Sequence, residues 1–138
     1  MPSYWLLKTE PSTYSYMDLE RAGKATWDGV TNALALRHLR AMKNGDLAFI
    51  YHTGDEKRIV GIAAVASDPY PDPREDDPKL VVVDLRPRER LNRSVSLAEI
   101  KMRREFADFD LVRMSRLSVM SVSEARWRRL CEMAQGTT

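Results

Sequence analysis

The sequence predicts an α+β domain built on a curled, largely antiparallel sheet. Three observations carry this. Segments with strand character outnumber helical ones, most connections between them are short, and no repeat, low-complexity tract or linker divides the chain. At 138 residues the chain suits one domain over 1–138. A domain of that size buries about two-thirds of its unfolded surface, enough for a core without disulfides or metals.

The first strand runs from Tyr4 to Lys8, aromatic and apolar, and is ended by Pro11. Ser15 with Asp18 three residues on is a capping-box pattern. It opens a helix that carries Met17 and Leu19 and stops near Gly23. Lys24 to Thr31 is a loop. Asn32 to Met42 is a helix, because Ala35, Leu36, Leu39 and Met42 recur at helical spacing; Asn44-Gly45-Asp46 then turns the chain. Leu47 to Tyr51 and Ile59 to Val65 are strands, with Gly54-Asp55 in the turn of a hairpin. Asp68 to Pro78, with four prolines, is a loop, and Leu80 to Leu85 begins a β-run extended to Leu91. Ser96 and Glu99 form a second capping box before a short helix through Met102. Val112 to Val122 includes a returning strand, and Ser123 caps a final helix with Trp127, Leu130 and Ala134 on one face.

Composition excludes several functions. No apolar run is long enough to span a bilayer, and the N-terminus lacks a basic segment ahead of an apolar one, so neither a membrane span nor a signal peptide is expected. Cys131 is the single cysteine, which favours a reducing compartment and a cytoplasmic location, nuclear in a eukaryote. One cysteine and two histidines cannot build the usual zinc sites, so no metal and no cofactor is expected. The net charge of +2 is unevenly placed. Asp68 to Pro78 holds five acidic residues and one basic; Arg86 to Arg104 holds seven basic and two acidic. Such asymmetry fits a face turned to a polyanion, although a plain solvated surface also accounts for it.

The candidate site residues centre on Trp27-Asp28-Gly29-Val30-Thr31-Asn32. An indole beside a glycine turn, offered from a loop, suits a planar heterocycle such as a nucleobase. Asn32 can donate and accept at once, which suits a base edge; it equally suits the N-cap of the next helix. Tyr51 and His52 end a strand at the hairpin, where a ring can stack and an imidazole can act as acid or base. Lys8, Thr9 and Glu10 end the first strand, with Lys8 and Glu10 on one face and Thr9 on the other. Arg37 and Arg40 on the helix after Asn32, and Arg116 ahead of Ser118, are candidate phosphate contacts. No Gly-x-Ser-x-Gly elbow and no glycine-rich phosphate loop is present. An enzyme would therefore rest on Glu10, Asp28 or His52 as acid–base groups.

Taken together, ordered blocks across nearly the whole chain resemble the EVE domain family. They are Tyr4-Trp5-Leu6-Leu7-Lys8-Thr9-Glu10-Pro11, Trp27 to Asn32 with Ala35, Gly45 to His52, Ile59 to Val65, Tyr70-Pro71-Asp72-Pro73 and Arg116-Leu117-Ser118-Val119. The resemblance implies a PUA-like pseudo-barrel of mixed, mainly antiparallel strands with flanking helices, related to the YTH domains that read methylated adenine in RNA. It implies a non-enzymatic reader of a modified nucleobase, with DNA or RNA carrying that base as partner. It also implies a pocket lined by Lys8, Thr9, Glu10, Trp27, Asn32, Tyr51, His52 and Ser118. An enzyme acting on a modified base, or a protein-interaction module with a vestigial pocket, are the competing readings. The chain departs from the family pattern in two places. Arg74 to Lys79 is short, acidic and without an aromatic ring, and Thr31 stands where many relatives carry an arginine.

Overall fold

A computed structural model describes residues 2–135; position 1 and positions 136–138 of the expected span lie outside the described residues. The strands are β1 (Tyr4–Thr9), β2 (Ala25–Trp27), β3 (Leu47–His52), β4 (Arg58–Val65), β5 (Tyr70–Pro71), β6 (Val81–Ser96) and β7 (Val119–Val122). The helices are α1 (Tyr16–Ala22), α2 (Ala33–Ala41), α3 (Leu97–Lys101), α4 (Asp110–Arg113) and α5 (Glu124–Ala134), with a 3-10 turn at Arg104–Phe106. The sheet order is β2-β6-β4-β3-β1-β7, and β5 pairs with β6. This is the mixed, curled half-barrel with flanking helices that the sequence predicts. No helix among the described residues is long and apolar enough to cross a membrane.

One pairing is parallel. β1 lies beside β3 with Tyr4 opposite Leu47 and Thr9 opposite His52, and the chain between them is long enough for the crossover that parallel strands need. Buried Asp46 fixes this junction. Its carboxylate accepts from the Ser3 N–H (2.9 Å), the Trp5 indole N–H (2.9 Å) and the Lys43 N–H (3.0 Å), so a charge removed from water keeps three donors. All other pairs are antiparallel. Register shifts in β3–β4 and twice in β4–β6 bend the strands and close the curl.

The curl wraps a core in which Phe49 stacks on Trp127 (centroids 3.9 Å apart), which also stacks on Tyr4 (4.6 Å). Helix α1 reaches the sheet through Tyr16, whose hydroxyl donates to the Ile62 carbonyl (2.8 Å) and whose ring lies over Gly61. Glycine is required there by space: a Cβ would fall 2.5 Å from the ring.

Four local features differ from the sequence reading. Trp27 closes a strand, β2, and is not offered from a loop: it pairs with Val83, and pairing across the sheet overrides the turn signal of Asp28-Gly29. Tyr70-Pro71, expected in a loop, forms β5 opposite Val82 and Val81, with the proline at the sheet margin where its missing N–H costs nothing. β6 continues past Leu91 to Ser96, because Arg58 and Ile59 pair with Ser96 and Val95. The 3-10 turn and α4 were not expected; both lack a side-chain cap and are held by buried Phe106, Phe109 and Leu111. The returning strand occupies Val119–Val122 of the expected Val112 to Val122.

Candidate functional site

The C-terminal end of β1 opens onto a cavity of about 480 Å³, within the ~300–1,000 Å³ typical of small-ligand sites. β1 contributes Lys8 and Thr9, β2 contributes Ala25, Thr26 and Trp27, and Asp28-Gly29-Val30 form the rim. Thr13 and Tyr14 close one side and Ser118 another.

Each wall has a local cause. After β1 the chain doubles back: the Thr13 and Tyr14 N–H groups both donate to the Glu10 carbonyl (2.9 Å each), and the Thr9 hydroxyl donates to the Tyr14 carbonyl (2.7 Å). That turn sets the Tyr14 ring edge-on to Trp27, centroids 6.3 Å apart at 80°, a favoured aromatic geometry. Trp27 keeps only 8% of its surface exposed. It therefore serves the core and the cavity wall together. Gly29 takes φ +78°, which lets the rim turn. Beneath the rim, Asp84 accepts from the Tyr70 hydroxyl (2.6 Å) and the Thr26 hydroxyl (3.2 Å), and pairs with Lys24. The Tyr70 hydroxyl, with Thr26 and Lys24, holds the Asp84 carboxyl below its ordinary range despite partial burial.

Charge at the site is mixed. The Lys8 ammonium donates to the Ser115 carbonyl (2.9 Å) and lies 5.7 Å from the centre of the Tyr51 ring; burial lowers its pKa. The Lys8 backbone N–H binds the Ser118 carbonyl (2.9 Å), tying the late segment to β1. The short acidic segment after Pro73 folds back so that the Arg74 guanidinium pairs with Asp28 on the rim, while Asp72 accepts from the Arg74 N–H (3.0 Å). This short acidic segment thus supplies a clasp.

Of the residues proposed from the sequence, the cavity brings together Lys8, Thr9, Trp27, Asp28 and Ser118. The others lie elsewhere. Asn32 takes the capping alternative: its Oδ1 accepts from the Ala35 N–H (3.0 Å), and it lines a neighbouring cavity of about 390 Å³ with Arg116. His52 is buried with both ring nitrogens engaged. Nε2 accepts from the Tyr16 N–H (3.0 Å), which places the proton on Nδ1, 2.9 Å from the Glu56 carboxylate. Tyr51 is buried at a third cavity, of about 250 Å³. Glu10 is an exposed turn-builder whose carboxylate accepts from the Ser12 N–H (3.0 Å) and hydroxyl (2.9 Å); those bonds lower its pKa. Arg37 is exposed, and Arg40 donates to the Lys79 carbonyl (3.0 Å). Sequence reasoning missed Thr13, Tyr14, Thr26 and the Arg74 clasp; only Tyr14, directly ahead of the Ser15 cap, carried a usable signal. Among the described residues no group of three or more His, Cys, Asp or Glu side chains is placed to hold a metal.

Comparison with known proteins gives consistent relatives. The EVE domain profile matches residues 3–133. Human thymocyte nuclear protein 1 is 35% identical over a region covering 73% of this chain and 56% of the human protein. The chain thus spans little more than half the length of that relative. A solution structure of a Rhodopseudomonas palustris protein superposes with a TM-score of 0.91 at 40% identity, covering 96% of this chain and 92% of the other. A crystal structure of human THYN1 in complex with DNA containing 5-methylcytosine superposes with a TM-score of 0.89 at 28% identity, covering 99% of both chains.

Proposed function

The chain belongs to the EVE domain family, and on that premise we propose that it binds DNA carrying a modified cytosine without turning it over. The cavity beside Trp27 is the seat of the base. The observation that carries this reading is that cavity, walled by two aromatic rings and lined by threonine and serine residues and by Lys8. The relative seen with 5-methylcytosine DNA names the ligand class.

Energetics set the scale. Taking a base out of the stack costs a few kcal/mol. Aromatic contact returns about 1–3 kcal/mol. A methyl group buried against Ala25 and Val30 adds about 0.8 kcal/mol, or about fourfold preference over the plain base. Backbone contacts from rim cations must supply the rest, so binding is salt-sensitive. The acid–base alternative is weaker, because His52 and Glu10 lie outside the cavity with their polar atoms engaged, and Asp28, on its rim, is paired with Arg74.

Affinity for matched duplexes with and without 5-methylcytosine tests the reading, with single-stranded DNA and RNA of the same sequence as further arms and two salt concentrations throughout. Preference for the modified duplex, lost in Tyr14→Ala, supports it. Equal affinity for modified and plain strands overturns it. Turnover of the modified base favours the enzyme reading, and binding indifferent to Tyr14→Ala favours a protein-interaction module.

A further inference from the structure

The cavity of about 250 Å³ on the other side of Lys8 has a composition unlike that of the base cavity. Three lysines line it: Lys8 from β1, Lys57 from the β3–β4 turn and Lys101 from the end of α3. No carboxylate lines it among the described residues, and none of the three ammonium groups is ion-paired there. In the adjoining turns Glu56 is engaged by His52 and Glu10, beside Gly54, by Ser12, while Asp55 stands exposed next to Gly54 without lining the cavity. The fold holds the lysines together. Lys57 takes φ +47°, the one positive value outside glycine among the described residues, and its carbonyl accepts from the Leu97 N–H (2.8 Å) at the start of α3. That bond docks the turn on the helix that bears Lys101. Lys8 spends one of its three N–H donors on the Ser115 carbonyl, which leaves two for a ligand.

We propose that this three-lysine cavity is a phosphate subsite that seats a backbone phosphate adjoining the nucleotide whose base lies beside Trp27. The inference rests on the base-binding reading above, since Lys8 is common to both cavities. Three lysines lining one cavity that no carboxylate lines suit a tetrahedral oxyanion, each lysine acting as a point charge. A lone free phosphate shares that chemistry, and the test separates the two sources.

The experiment compares the wild type with the variant Lys57→Asn/Lys101→Gln. Both positions are exposed, and asparagine tolerates the left-handed backbone at 57, so the thermal midpoint serves as a folding control. With a 5-methylcytosine duplex, the variant loses about tenfold in affinity, and its slope of log K against log salt is shallower by about 0.9, the value for one phosphate contact. Titration with the nucleoside 5-methyl-2′-deoxycytidine, which has no phosphate, gives equal binding in both proteins. A duplex with a neutral methylphosphonate beside the modified base weakens wild-type binding and leaves the variant unmoved. Equal affinity and slope in both proteins, with methylation preference intact in both, overturns the subsite and spares the base reading. Loss of methylation preference in the wild type overturns the base reading. Inorganic phosphate that binds the wild type but not the variant, while duplex affinity is equal in both, assigns the cavity to a free anion and overturns its place on the strand.

Discussion

Removing the Arg74 clasp tests how charge is managed at the rim. Both partners are solvent-facing, Arg74 66% and Asp28 40% exposed, so the pair contributes about 0–1 kcal/mol to stability. Arg74→Ala therefore shifts the thermal midpoint by less than about 4 °C. Its effect on binding is larger, because it leaves the Asp28 carboxylate uncompensated on a rim that meets an anionic strand. With a phosphate about 7 Å away, the repulsion is about 0.6 kcal/mol at the dielectric of water and about 2.4 kcal/mol at an effective dielectric of about 20. The exposed rim sits toward the lower figure, so affinity for the modified duplex falls about three- to tenfold at low salt and less at high salt. Asp28→Asn removes the cause. The double variant Asp28→Asn/Arg74→Ala should recover near-wild-type affinity, and fluorescence anisotropy on all four proteins completes the cycle. An affinity loss in Arg74→Ala that Asp28→Asn does not recover refutes the reasoning, as does a loss that grows with salt.

Other outcomes follow from the packing. Gly61→Ala sets a methyl 2.5 Å from the Tyr16 ring, which is pinned by its bond to Ile62, and should cost about 1–3 kcal/mol in urea unfolding. His52→Ala strands the Tyr16 N–H at the buried start of α1 and opens a void; a loss above about 2 kcal/mol is expected, with methylation preference retained at temperatures where the variant is folded. Asp84 titrates at lower pH in the folded protein than in the unfolded chain, chiefly because Tyr70 donates to it. Its contribution to stability is full above the unfolded value and is lost as pH falls from there through the lower folded value. Asp84→Asn should flatten that part of the profile in urea titrations across this range.

What the sequence made legible was local. The caps at Ser15, Asn32, Ser96 and Ser123 each close within three residues, and all four start helices as expected. The β3–β4 hairpin was legible for the same reason, with its turn chemistry beside its strands. What escaped depends on partners distant in the chain. Trp27 looks like a loop residue until Val83 pairs with it, and Tyr70-Pro71 gains strand character only from Val81 and Val82. The polar end of β6 has no alternation to mark it and is fixed by β4. At the site, strand direction correctly set Lys8 and Thr9 at the end of β1. His52 was legible as a strand end and illegible as a buried acceptor, because its partner Tyr16 lies on another element. The Asp28–Arg74 clasp was hidden likewise, inside a segment that composition marked as acidic.

The most direct test follows the Trp27 indole N–H by NMR as matched duplexes are added, one carrying 5-methylcytosine and one plain. The account predicts that the Trp27 signal and the backbone amides of Val30 and Ser118 move with the modified duplex at concentrations where the plain one leaves them still. Identical shifts with both duplexes, or shifts confined to residues away from this cavity, contradict it.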